Sequence, residues 1–121
     1  MSSGYYIRPD FCWLPANWVA RAAADRISAH LVGDAAETVR HRVMEVHLYP
    51  GAMSSFEKAS AEELRMFYVA AQLGYSHAEQ EGSLSWSSPE MFPGFVQAFD
   101  SLVAGLASDP RLVHSVEVRA T

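Results

Sequence analysis

The stretch HRVMEVHLYPG, residues 41 to 51, holds the side chains best suited to chemistry: His41, Glu45 and His47. A histidine beside a carboxylate can move protons near neutral pH, and two imidazoles with a carboxylate can hold zinc or iron. If the stretch is extended, all three project from one face. Glu45 and His47 then have Cα atoms roughly 6 to 7 Å apart, while His41 and His47 are about 20 Å apart, too far to share one ion. A metal site would need Glu45 and His47 together with a distant ligand such as His77 or His114. The weak metal candidates are therefore Glu45, His47, His77 and His114, and the catalytic candidates for an enzyme are Glu45, His47 and His41.

Other chemistry is less well supported. His77, Glu79 and Glu81, read as part of a polar loop, have an H-x-E-x-E spacing that resembles a ligand set and equally fits a flexible solvated loop. Cys12 is the only cysteine, which excludes an intramolecular disulfide and a cysteine-rich zinc site. Its aromatic neighbours point to a small buried side chain. The chain contains no G-x-S-x-G elbow, no glycine-rich phosphate loop, no H-E-x-x-H and no calcium loop. No cofactor is expected.

These side chains must be positioned by elements legible in the hydrophobic pattern. A short strand is expected through Tyr5 to Arg8, then a helix from Pro15 or Asn17 to about Leu31 with Val19, Ala23 and Ile27 inward. From Thr38 to Tyr49 the period is read as two, giving an edge strand with one wet face, closed by Pro50 and Gly51. Ser54 with Glu57 and Ser60 with Glu63 each carry capping-box spacing. The second opens a broad stripe through Leu64, Phe67, Tyr68 and Ala71, widened by Met66, Val69, Ala70 and Leu73, with Gly74 as its C-cap. Gly82 to Trp86 reads either as a short strand or as a loop carrying Trp86. Ser88, Pro89 and Glu90 start a last helix, broken near Pro93 and Gly94, that buries Phe95, Phe99, Leu102, Val103 and Leu106. RLVHSVEVRAT reads as a final strand. The expected fold is one α+β domain over residues 1 to 121, two-layered, with three helices on a small, mainly antiparallel sheet.

The chain has 121 residues and a formal charge of −5. The charge is uneven. Five acids balance five arginines up to Phe56, and Asp109 and Glu117 balance Arg111 and Arg119. Between Glu57 and Asp100 seven acids face only Lys58 and Arg65, so the whole excess lies there. Such a field disfavours a nucleic-acid backbone and suits a basic protein. No apolar run approaches a membrane span, and MSSGYYIRPDF does not read as a signal peptide. A cytoplasmic protein is expected.

Aromatic and methionine residues in turn-rich segments can anchor an interface. Trp86, Met91 and Phe92, with Glu79, Glu81 and Tyr49, are the interface candidates, while Trp18 is assigned to the core. The expected function is protein binding, in its sharpest form an acidic, immunity- or antitoxin-like inhibitor of a basic partner. The helix stripe also allows a homodimer. Two other readings stand beside it: a small enzyme or metal- or ligand-binding domain using Glu45 and His47, and a structural subunit of an oligomeric assembly.

Overall fold

A computed structural model describes residues 1–83, 86 and 88–112. Strand β1 (Gly4–Arg8) turns back into β2 (Phe11–Trp13), and helix α1 (Asn17–Ser28) follows. A 3-10 turn leads into α2 (Glu37–Met44), and a second one, Glu45–His47, leads out of it. Then come β3 (Met53–Ser55), α3 (Ala61–Glu81), a 3-10 turn at Pro89–Met91, and α4 (Phe92–Ala107). The fold is mixed α+β, with helices packed against a small, open three-stranded sheet.

Two details of the expected architecture change. Four α-helices are present among the described residues, because the expected strand at 38–49 is α2 and its 3-10 extension. The sheet, ordered β2-β1-β3, has one antiparallel pair and one parallel pair, β1 with β3. A parallel return needs a crossover long enough to hold a helix, and α1 and α2 supply it.

The reason for α2 lies in which valines are buried. Ala36, Val39, Val43 and Val46 all face inward. Their spacing of three, four and three is the helical repeat, whereas alternation along a strand would have placed Val39 and Val46 on opposite faces. Gly51, at φ 86°, lets the chain reverse after Pro50 toward β3.

The Tyr5–Arg8 strand and the first helix form as expected, with Val19, Ala23 and Ile27 buried. The Ser54 capping signal opens no helix; Ser54 lies in β3, paired with Tyr5. The Ser60 signal does form a box. Glu63 N–H donates to Ser60 Oγ at 3.1 Å, and Ser60 N–H donates to Glu63 Oε1 at 2.9 Å. A Ser60→Ala variant is expected to lose about 1 kcal/mol, since one helix-terminal donor loses its acceptor. Urea denaturation measures it, and an unchanged midpoint would mean water replaces the cap without loss.

Gly74 is not the C-cap. Helix α3 runs on to Glu81, and Gly82, at φ 65°, ends it. Gly74 instead lets α3 approach α1 closely, because a Cβ there would lie 3.1 Å from the Arg26 carbonyl carbon and 3.2 Å from Ile27 N. Trp86 N–H donates to the Ser83 carbonyl at 3.1 Å, while Leu84 and Ser85, on which the reading of Gly82 to Trp86 depends, lie outside the described residues. Arg111 and Leu112, expected to begin the final strand, are helical; the rest of that segment, His114 included, lies outside the described residues.

Tyr5 is the centre of the core. It stacks on Trp13 at 5.6 Å between ring centroids, meets Phe56 and Phe67 edge-on, and donates its hydroxyl to the Val43 carbonyl at 2.8 Å. Complete burial raises the pKa of that hydroxyl, and the nearby Asp25 charge adds to the shift. Helix α3 packs against both α1 and α4. The expected last helix also forms, with Phe95, Phe99, Leu102 and Leu106 buried and Val103 half-buried.

A candidate interaction surface

The residues grouped by strand periodicity separate once the segment is helical. In the 3-10 turn that holds both, two residues turn a side chain by about 240°, so Glu45 and His47 point apart. His47 Nε2 lies 2.9 Å from Asp25 Oδ1 of α1. His41 and Glu45, four residues apart, now share a face, lining a shallow depression with Asp34, Glu37, Thr38 and Arg42. His41 Nε2 is 4.0 Å from Glu37 Oε1, with both side chains largely in water. This is an open mixture of charges that leaves Glu45 and His47 without a common focus. Among the described residues no group of three or more His, Cys, Asp and Glu side chains could hold a metal ion.

His77 pairs with Glu81 at 3.5 Å, one helical turn away, and its ring meets His30 edge-on at 6.2 Å. Glu81 is also held by Arg26, Nη2 to Oε2 at 2.8 Å. The H-x-E-x-E segment is thus the last turn of α3, with Glu81 turned toward α1 and Glu79 away from it. Cys12 is exposed, against the expectation of burial, and its thiol faces Met53 Sδ at 3.8 Å.

The interface candidates Trp86, Phe92 and Met91 converge at one end of the molecule. Trp86 lies 5.0 Å from Phe95, 5.5 Å from Phe92 and 5.9 Å from Trp18, all measured between ring centroids. Trp18 does not belong to the core: 38% of it remains in water. It occupies an outward position of α1, one residue before the buried Val19, and that register was legible in the sequence. Met91 is 41% exposed beside Phe92.

The guanidinium of Arg26 lies 5.2 Å from the Phe95 ring centre and 6.0 Å from that of Trp86. This cluster therefore already holds one cation of the chain's own, fixed by two ring faces and the Glu81 carboxylate. On the other flank Tyr75 meets Phe99 edge-on. Its pKa is raised, first by desolvation and then by the charges of Glu79 and Asp100 and a hydrogen bond to Glu79. Glu79, Glu90 and Asp100 are exposed. Tyr49, by contrast, is exposed beside Leu48 after α2 and belongs to a different surface.

Among the described residues no helix is long and apolar enough to cross a membrane. No protein-family model matches the sequence. No curated protein matches it either. The fold is similar to a chain in the solved complex of the CdiA-CT toxin from Burkholderia pseudomallei E479 with its cognate CdiI immunity protein. The TM-score is 0.65 at 18% identity, over 92% of this chain and 97% of that chain.

Proposed function

We propose that this chain is the immunity-type member of a toxin–inhibitor pair, a cytoplasmic protein that neutralises a basic partner by covering it. The observation that carries the reading is the near full-length fold likeness to a chain of a toxin–immunity complex. The charge supports the inhibitor side of such a pair: between Arg65 and Arg111 the sequence has Glu79, Glu81, Glu90, Asp100 and Asp109 and no lysine or arginine. An acidic inhibitor accelerates its encounter with a basic target through long-range attraction and holds it through buried anchors. Binding alone suffices for this role. The rival reading, a small enzyme or ligand site at Glu45 and His47, loses its geometric basis now that the two side chains diverge.

The chain is best tested in its native host, by size exclusion with light scattering and mass spectrometry of whatever travels with it. The expected result is a stoichiometric complex with a basic protein whose expression alone arrests growth and whose co-expression with this chain restores it. A monomer or homodimer with no partner, or a partner whose effect this chain does not relieve, would overturn the reading.

A further inference from the structure

We infer that a basic polypeptide docks on the end of the molecule where α1, Trp86 and the start of α4 meet, with Trp18 and Met91 as its apolar contacts. The inference rests on the inhibitor reading for the identity of the natural partner and on surface chemistry for the place. Trp18 and Met91 keep 38% and 41% of their surface in water, beside half-buried Trp86 and Phe92. Exposed tryptophan and methionine next to a packed aromatic bed are the components of an interface centre.

Charge identifies the occupant. Residues 66–110, which include the rest of α3, Trp86 and all of α4, carry no lysine or arginine. Helix α1 carries two arginines: Arg26 is already bound to Glu81 at 2.8 Å, and Arg21 lies one turn after Trp18 on the α1 side of this end. Glu90 adjoins Met91, while Glu79 and Asp100 both act on Tyr75. None of Glu79, Glu90 and Asp100 forms an ion pair among the described residues. On the α3 and α4 side the apolar contacts are therefore flanked by negative charge that forms no ion pair among the described residues, which favours lysine- and arginine-rich surfaces and repels acidic ones. Of the other exposed apolar groups, Leu48 and Tyr49 follow a helix bearing Arg40 and Arg42, and Val32 and Val69 line a hollow with Glu62 and Arg65.

The test uses the full chain, labelled for nuclear magnetic resonance, with a decalysine peptide as probe. Shifts are expected at amides of residues 75–81 and 88–100 and at the indole N–H groups of Trp18 and Trp86, and they should fade as salt is raised. A triple Glu79→Gln, Glu90→Gln, Asp100→Asn variant should weaken the peptide about tenfold, while Asp34→Asn, Glu37→Gln, Glu45→Gln should leave it unchanged. Shifts centred on α2, or spread over the whole surface, would overturn the inference. So would a homodimer that buries Trp18. Against a partner captured from the native host, Trp18→Ala and, separately, Met91→Ala should each weaken binding about tenfold or more, as truncated anchors do. Both side chains are partly in solvent, so the variants should remain folded, which circular dichroism verifies. Unweakened binding in both variants would overturn this surface while leaving the inhibitor reading intact. Peptide bound at this end in a chain that neutralises no basic protein would overturn the inhibitor reading and leave the surface standing.

Discussion

Replacing Asp109 by alanine is expected to destabilise the protein by about 3 kcal/mol, as removal of one partner from a buried ionic network does. Asp109 is 1% exposed and is held by two arginines. Arg8 Nη1 donates to its Oδ2 at 3.1 Å, and Arg111 donates to both oxygens at 2.9 Å. Arg111 also donates to the carbonyls of Ile7, Phe56 and Ala59, tying the segment after α4 to β1 and to the turn before α3. Without the carboxylate two guanidinium groups face each other across a half-buried space. Each keeps some solvent, 18% and 23% of its side-chain surface, which places the cost at the lower end of the range for such networks. With a urea slope of about 1.5 kcal/mol/M the midpoint falls by about 2 M. A fall equivalent to less than about 1 kcal/mol would show that the group behaves as an ordinary surface pair.

The same network sets a pH dependence. Burial pushes the Asp109 pKa up, but hydrogen bonds from Arg111, the Arg111 charge and the Arg8 hydrogen bond outweigh it, and the net shift is downward. A depressed folded pKa means that the unfolded chain binds the proton more readily. The stabilisation is therefore fully present above the ordinary aspartate value of about 3.9, and it is lost as pH falls through the lower folded value. The stability difference between wild type and Asp109→Asn should be flat from about pH 5 to 7 and shrink below about pH 4. A difference that grows on acidification would contradict the assignment.

What could be read from the sequence divides along a physical line. Long helices declare themselves because their apolar period repeats over several turns: α1 and α4 were found with their buried faces, and the Ser60 box fixed the start of α3. The segment at 38–49 failed because arginines, histidines and glutamates alternate with aliphatic residues, and in a short stretch such alternation imitates a strand. The burial of Ala36, Val39, Val43 and Val46 decides for the helix, but it depends on α1 and β3 covering that side. Gly74 misled for a related reason. A glycine at the end of an apolar stripe reads as a stop, and only the approach of Arg26 and Ile27 explains one inside a helix.

The candidate surface rests on composition in the sequence and on geometry only in the fold. Trp86, Met91, Phe92, Glu79 and Glu81 stand out in the sequence as aromatic, methionine and acidic residues near turns; in the fold Trp86 meets Phe92 edge-on, Met91 precedes Phe92, and Glu79 and Glu81 lie in the last turn of α3. Trp18 was missed because a tryptophan in an amphipathic helix is assigned inward by default, although its register one residue from Val19 placed it outside. Nothing in the sequence showed that Arg26 would insert into the aromatic cluster, since that contact joins residues far apart in the chain.

Gly4→Ala is expected to cost about 3 kcal/mol or more, the upper end of the range for overpacking, because the added methyl has no space that a side chain could vacate. A Cβ on Gly4 would overlap the backbone carbonyl of Trp13 and lie 3.3 Å from Leu14 Cα. Gly4 is also fixed on its other side, paired with Met53 and donating its N–H to the Ala52 carbonyl at 3.2 Å. Relief therefore requires β1 to part from β2 or from β3. If β2 moves, Trp13 loses its stack on Tyr5 and the 2.8 Å hydrogen bond from its indole N–H to the Ala98 carbonyl of α4. Gly94→Ala is the matched control: the same methyl is added in the first turn of α4, with nothing within 4 Å, and should be neutral or stabilising by up to about 1 kcal/mol through helix propensity. Opposite signs for the two variants in thermal and urea melts would place the effect in the β1–β2 approach. Equal small effects would mean that the strands separate at little cost. Because Ala98 lies on the helix that carries Phe92 and Asp100, the Gly4 variant should lose decalysine binding in step with unfolding, whereas loss of the Glu79, Glu90 and Asp100 carboxylates should weaken binding in a chain of undiminished stability.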